Sequence, residues 1–405
     1  MTPPRGSFPV LVPEAQTLGA LAVVRSLGRA GYPVHALSAR PDAVGLASRY
    51  ASHRAVHPAY DSPDFLPWLA DYRRRSEARA IVPSEGFLMA VRPAVAAYLG
   101  LFPMPQDAAT LYAGMAKYDF FASAAGDPAL GETAPPTLLL GDGDPDPAPA
   151  DLAALGLPVF VKTDALHARS AGESGGVRRA DTPADAAEAV RRARERFARV
   201  VVQGYVGGVG VGAFLARWDG RVLARFMHRR VHEVPHTGGA SSYRRSFRHD
   251  GIMADAERRL ERMRWEGPAM VEYRLDERTG RFAVMELNGR FWGSLHLALY
   301  AGVDFPAILL DAFRGAPPAP PPVPRDVSAR HTFPGEVQHV ASVLKDPGVG
   351  PGAKARALAM FVRLGIAPGV YSDLWFPGDT GLYWRELAGY ARLLGRGVRR
   401  RLGRG

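Results

Sequence analysis

Two apolar runs, residues 269–275 and 282–287, flank the polar stretch 277–281. This spacing predicts a β-hairpin in which Glu272 falls opposite Glu286. Side chains alternate along a strand, so Glu272, Glu286 and Asn288 are expected on one face together with Met270, Phe282 and Val284. Directly opposed Cβ atoms lie roughly 4.5–5.5 Å apart, and like charges there destabilise the pair. With an effective dielectric near 20 the repulsion at ~5 Å is about 3 kcal/mol. Something positive has to relieve it. Two carboxylates and an amide make an all-oxygen donor set suited to Mg²⁺ or Mn²⁺, ions typically held beside nucleotide phosphates. The alternative is a solvated hairpin face with two stray acids, which the strongly apolar neighbours disfavour.

A chain of 405 residues is too long for one simple core, so two or three domains are expected. Its hydrophobic content of 47% and charged content of 22% fit a globular enzyme. The first residues lack the apolar stretch of a signal peptide and no run approaches ~18 apolar residues, so the expected location is the cytoplasm, including the inner face of the membrane. The absence of cysteine excludes disulfides, thiolate metal sites and a thiol nucleophile. A net charge of +11 favours anionic partners. Nucleic acid is not expected among them, because the arginines are spread along the chain without one stripe of interleaved aromatics. Only four of the 51 basic residues are lysines: Lys117, Lys162, Lys345 and Lys354. A lysine that persists amid so much arginine can be one whose compact ammonium a planar guanidinium does not imitate, or a chance survivor.

Residues 8–104 alternate strand and helix signals: strands near 8–12, 34–37 and 80–82, with helices over 18–30 and from Phe87. This predicts a parallel sheet with helices on its faces. The turn after the first strand is Pro13-Glu-Ala-Gln-Thr-Leu-Gly19 and lacks the glycine spacing of a dinucleotide site. A loop is expected over 141–150. Strands are expected over 158–162, 200–203, 211–217 and 222–228, and helices over 183–197 and 254–265, then from Leu295 and Phe305. The proline-rich stretch 316–324 predicts an extended linker. In the tail, Tyr383, Leu387, Tyr390, Leu394, Val398 and Leu402 recur at helical spacing, ahead of a cluster formed by Arg396, Arg399, Arg400, Arg401 and Arg404. Such a basic amphipathic helix suits peripheral contact with an anionic membrane, or an ordinary packed helix with a basic end.

Pro158-Val-Phe-Val-Lys162 ends a strand in an ammonium, and Ser170, Gly172, Ser174 and Gly175 follow in a small-residue loop able to close backbone N–H groups around phosphate oxygens. The strand running into Val200-Val-Val-Gln-Gly-Tyr-Val-Gly208 could line an adenine slot, with Gln203 contributing its amide. His228, His232 and His236 are spaced by four along one segment, which leaves a zinc cluster as an alternative reading, although no partner acid is evident. Gly238, Gly239 and Ser241 lie in a turn rich in N–H and hydroxyl donors suited to an anion, with Arg230 and Glu233 nearby to orient a substrate.

The order of these parts resembles the ATP-grasp superfamily over about residues 111–315, and within it the carbamoyl-phosphate-synthase-like carboxylate–amine ligases. Met285-Glu-Leu-Asn-Gly-Arg-Phe-Trp-Gly-Ser294 is the most specific stretch. The resemblance implies an α/β and α+β fold: a pre-ATP-grasp α/β domain (1–105), an ATP-grasp domain of two subdomains enclosing ATP (106–315), the linker (316–324) and a mixed helical extension (325–405). It implies that Lys117 and Lys162 contact the nucleotide phosphates, that Gln203 and Val206 border adenine, and that Glu272, Glu286 and Asn288 hold Mg²⁺. Arg290 matches the cation that stabilises an acyl phosphate, and Ser294 belongs with the acceptor residues. Two positions depart from the pattern. Gly204 stands where an acid is common, and Gly210 lies near the usual ribose-binding carboxylate, which leaves the ribose contact unassigned. The implied activity is ATP-dependent coupling of a carboxylate, small or linked to a glycan or peptide, to an amine. A catalytically silent nucleotide-binding regulator or scaffold is the alternative.

Overall fold

The computed structural model describes residues 2–170, 172–317 and 319–402, with side chains as far as Arg392. The chain divides into two compact units, neither continuous in sequence. The first comprises Met1–Phe87, His228–Phe247 and Trp292–Gly405; the second comprises Leu88–Met227 and Arg248–Phe291.

The first unit holds a four-stranded parallel sheet of order β3-β2-β1-β4, with β1 Val10–Val12, β2 Val34–Ser38, β3 His53–Val56 and β4 Ala80–Ile81. The strands β1, β2 and β4 are buried throughout, as a parallel sheet covered on its faces requires. The helix Leu18–Arg29 begins where the Thr17 hydroxyl accepts from the Ala20 N–H, and stops before Gly31, whose φ of +88° suits glycine. The helices Leu295–Ala301 and Phe305–Phe313 meet at 89°. As a bent pair they have the length and composition of a broken membrane span, but Leu295–Ala301 is buried at every residue and Phe305–Phe313 at five of nine, so they are core helices here. No single described helix is long and apolar enough to cross a membrane.

The C-terminal segment is built into this unit by buried charge. Arg25 is fully buried, and its Nε donates to the Asp379 carboxylate at 2.9 Å while Nη1 donates to the Asp373 carbonyl at 2.6 Å. Asp379 also accepts from the Ser48 hydroxyl at 2.7 Å and the Arg49 N–H at 3.0 Å. Burial, reinforced by Arg25, holds His296 well below its ordinary pKa, so its neutral Nε2 faces the guanidinium at 2.9 Å. The tail helix forms as Gly381–Leu402. Leu382 is buried, and the rings of Tyr383 and Tyr390 lie 5.9 and 5.6 Å from that of Phe333, so the stripe packs on the protein as far as Tyr390. The side chains of Leu394, Arg396, Val398, Arg399, Arg400, Arg401 and Leu402, and all of Arg404, lie outside the described residues. The described residues of 316–324 carry no regular secondary structure, and the chain on both sides belongs to this first unit.

The second unit contains an antiparallel sheet of order β5-β8-β6-β7, with β5 Thr137–Leu140, β6 Val159–Thr163, β7 Gly176–Ala180 and β8 Val200–Gly204. Helix Pro183–Arg196 covers it, burying Ala186 and Val190 against Val159, Val161, Val200 and Val202. The expected loop over 141–150 ends early, because Pro149 opens the helix Pro149–Ala154, a position where its missing N–H costs nothing. The remaining strands are β9 Val209–Trp218, β10 Arg221–Val234, β11 Ala240–Ser246, β12 Gly267–Leu275, β13 Phe282–Asn288, β14 Ser328–Arg330 and β15 Val370–Ser372. The order β13-β12-β9-β10 belongs to the second unit. The latter half of β10 lies in the first unit, where β11, β14 and β15 follow it.

The β12–β13 hairpin forms with Glu272 paired to Glu286 and Met270 to Asn288. One expectation is corrected. Past Glu272 the register shifts, so Tyr273 pairs with Val284 and Leu275 with Phe282. This bulge places Phe282 and Val284 on the face opposite the acids, beside Tyr273, whose ring lies 5.8 Å from Phe282. Both faces are thereby used: Tyr273 donates to Asp255 at 2.7 Å on one side, and the acids occupy the other.

Replacing Asp379 with alanine leaves the Arg25 guanidinium buried beside a lost partner. A loss of about 3–5 kcal/mol is expected, read as a lower urea midpoint, whereas Asp42→Ala at an exposed, solvent-screened pair should leave the midpoint unchanged.

Candidate functional site

The site in the second unit assembles where three strands, β6, β12 and β13, and one short helix present charged side chains together. Lys162 near the end of β6 is 8% exposed, and its Nζ donates to the Gln203 Oε1 on β8 at 2.5 Å. The Gln203 amide nitrogen donates to the Thr137 hydroxyl at 3.0 Å on β5. This amide is fully buried, so Gln203, read from the sequence as bordering adenine, spends its side chain holding the lysine. Lys117 begins the helix Lys117–Ser123, and its Nζ lies 3.1 Å from Asp164 Oδ1 and 3.4 Å from Glu286 Oε2.

Across the hairpin the Asn288 amide donates to Glu272 Oε1 at 3.2 Å, and Arg290 Nη2 donates to Asn288 Oδ1 at 3.0 Å. Thus Lys117, Glu272, Glu286, Asn288 and Arg290 form a chain of contacts. Lys162 joins it through the fields of Glu286 and Glu272. Burial pushes the Lys162 pKa down to about 8, with Lys117 adding to the depression and Glu286, Asp164 and Glu272 opposing it. For Lys117, burial also lowers the pKa but is outweighed by Asp164 and Glu286, and the net shift is upward. The two ammoniums therefore differ: Lys117 holds its proton more firmly than a free lysine, and Lys162 less firmly.

Asp164 is the residue that sequence reasoning missed. Its carboxylate accepts from the Lys117 backbone N–H at 2.8 Å and from the Lys117 ammonium, so it fixes both the start of that helix and its side chain. The available signal was its place two residues after Lys162, which puts it where β6 ends.

Between β6 and β7, Ser170, Gly172, Ser174 and Gly175 are exposed. A Cβ at Gly175 would stand 2.5 Å from the Thr163 carbonyl, so the loop closes tightly on the strand end. Val206 is half-buried, next to Tyr205 at 60% exposure. The departure at Gly204 has a steric cause: an added Cβ would meet the Leu155 carbonyl oxygen at 1.9 Å, so no acid fits there.

The expected acceptor residues belong to the first unit. Arg230 Nη1 lies 3.3 Å from Glu233 Oε1 and donates to the Gly239 carbonyl at 3.0 Å. Gly238 and Gly239 adopt φ of +138° and +148°, and a Cβ at Gly239 would strike the Val234 carbonyl at 2.1 Å. Ser241 lies in β11, so what the sequence presented as a turn is partly strand. Ser294 shares a 3.1 Å hydrogen bond with His228 Nε2, and burial keeps that imidazole well below its ordinary pKa. The histidines diverge: His232 contacts Glu336 at 3.0 Å, and His236 contacts Ser342 at 3.0 Å and Asp346 at 3.1 Å. Register shifts on either side of His232 break the alternation that would have aligned them. Among the described residues no group of three or more His, Asp or Glu side chains forms a metal cluster.

The fold is shared with solved ATP-grasp structures. Biotin carboxylase from Campylobacter jejuni, in a β-γ-ATP complex, matches with a TM-score of 0.59 at 18% identity, covering 77% of this chain and 72% of its own. N5-carboxyaminoimidazole synthetase from Staphylococcus aureus, complexed with ADP, gives 0.58 at 15% identity, covering 81% and 83%. L-amino acid ligase from Bacillus licheniformis gives 0.55 at 14% identity, covering 77% and 75%. The chain thus has the fold of these structures. Residues 196–332, under half of the chain, match the model of a family described as "ATP-grasp in the biosynthetic pathway with Ter operon". No curated protein sequence matches the chain.

The Lys162 pKa gives a sign to the pH dependence. Its folded value is depressed, so below about 8 both states are protonated and the burial cost is fully present. Between about 8 and the ordinary lysine value of 10.5 the unfolded chain holds the proton longer, and stability rises with pH. Relative to Lys162→Met, the parent should gain on the order of 3 kcal/mol across that window in urea unfolding.

Proposed function

We propose that the protein is an ATP-dependent ligase that activates a carboxylate as an acyl phosphate and couples it to an amine. The observation that carries this reading is the convergence of Lys117 and Lys162 on the opposed Glu272–Glu286 pair. Two ammoniums suit phosphate oxygens, and two carboxylates with an amide oxygen fit Mg²⁺ or Mn²⁺. The likeness to ATP-grasp structures supports the same reading. Glu272, Glu286 and Asn288 would hold the metal, which when bound neutralises phosphate charge and the repulsion between the two acids.

The chain's own residues act by position and charge. Asp164 keeps Lys117 charged and anchored, and Gln203 keeps Lys162 aimed from a buried site where its field is weakly screened. The loop bearing Ser170, Gly172, Ser174 and Gly175 would offer N–H donors to ATP phosphates, and the segment about Val206 would border adenine. A substrate carboxylate oxygen attacks the γ-phosphorus, the bond to the β,γ-bridging oxygen breaks, and ADP leaves. The amine nitrogen then attacks the acyl carbon, the C–O bond to phosphate breaks, and the amine loses a proton as phosphate departs. Arg290, held by Asn288, supplies the cation for charge developing on the acyl phosphate. Arg230, Glu233, Gly238, Gly239, Ser241 and Ser294 are assigned to the acceptor.

Glu286→Gln should keep the circular dichroism spectrum and lower metal-dependent ADP release by about 100-fold or more in a mass-spectrometric screen of carboxylates and amines. Near-normal turnover in that variant would sink the assignment. Absence of any ADP-forming condensation with the parent protein would favour a silent nucleotide-binding role.

A further inference from the structure

The helix Pro351–Ile366 in the first unit has an apolar face that the unit leaves open. Leu358, Val362 and Ile366 are spaced by four, so they stack along one side of the helix. Their exposures are 48%, 65% and 83%, and the one buried residue of the helix is Leu364. Isolated exposed aliphatics are ordinary, but a continuous stripe of this kind marks a surface that meets something apolar.

Charge decides what that is. The helix has three cations, Lys354, Arg356 and Arg363, and no acid. At ~100° per residue, Lys354 flanks Val362 on one side at about 80° and Arg363 on the other at about 100°. Apolar residues along the centre, with long basic side chains at both margins, match a helix lying in a lipid interface, where stems cover the acyl boundary and charged heads reach anionic headgroups. The C-terminal helix, Gly381–Leu402, adds six arginines against one acid, Glu386. Trp375 and Trp384 are 46% and 56% exposed, and aromatics of this type favour the membrane–water boundary.

We infer that the Leu358–Val362–Ile366 stripe docks the protein on an anionic lipid surface. The inference is independent of the nucleotide chemistry. A second copy of the chain is the poorer occupant, because a two-fold contact through this stripe would bring its flanking cations together from both copies. The C-terminal helix is also poorer, since its apolar side packs on Phe333 as far as Tyr390.

Co-sedimentation of the full chain with phosphatidylcholine/phosphatidylglycerol vesicles, against phosphatidylcholine alone, tests this directly. Binding is expected only to the anionic vesicles, weakening as salt rises, with the triple variant Leu358→Gln, Val362→Gln, Ile366→Gln at least about tenfold weaker at an unchanged circular dichroism spectrum. Because the chain has no cysteine, Val362→Cys can carry a single environment-sensitive fluorophore. It should shift to the blue on anionic vesicles, while the same label at Glu195→Cys should not. Failure of the parent to bind, full binding by the triple variant, or an unshifted Val362→Cys label would each overturn the inference. A concentration-dependent dimer that the triple variant lacks would overturn it as well, assigning the stripe to a second copy.

Discussion

The opposition of Glu272 and Glu286 across a two-stranded ribbon is the constraint around which the candidate site is arranged. Two acids forced face to face repel, and the protein answers with ammoniums from elsewhere in the second unit. Lys117 reaches Glu286 directly, Asn288 bridges to Glu272, and Arg290 closes on Asn288. Lys162 is held back by Gln203, buried, with its pKa pushed down to about 8. A cluster of this composition is costly to build in a folded interior unless something anionic and something cationic are to be bound there. That cost is the physical basis for reading it as a site for metal and phosphate.

The first unit solves a different problem with the same kind of interaction. Its parallel sheet and its C-terminal segment are joined by Arg25, which is wholly buried and satisfied by Asp379, the Asp373 carbonyl and a neutral His296. Arg244 and Asp373 form a second buried pair in the same unit. These pairs tie together segments of the chain far apart in sequence. They also explain why the C-terminal residues behave as part of the unit and not as an appendage.

Much of the fold was legible because periodicity reports it directly. The strands of both sheets near Val10, Val34, Val159 and Val200, and the helices near Leu18 and Pro183, fall within a few residues of where the apolar pattern put them. The Glu272–Glu286 pairing was legible for a less direct reason. The turn is one residue tighter than symmetry suggested, and the bulge beyond Glu272 restores the register at the acids. Alternation therefore gave the right partners and the wrong face for Phe282 and Val284. The short strands β3, β14 and β15 were not legible, because three or four residues without a clear period carry no pattern of their own.

The sequence by itself determined the chemical inventory: which lysines, acids and glycines exist, and which of them sit at strand ends where side chains and loops converge. Only the tertiary structure decided how that inventory is spent. It committed the Gln203 amide to Lys162, brought Asp164 to Lys117, and sent three evenly spaced histidines to separate partners. Local spacing governs which residues share a face of one element. A hydrogen bond between elements, or a carbonyl standing where the Cβ of residue 204 would be, depends on packing that no local pattern encodes.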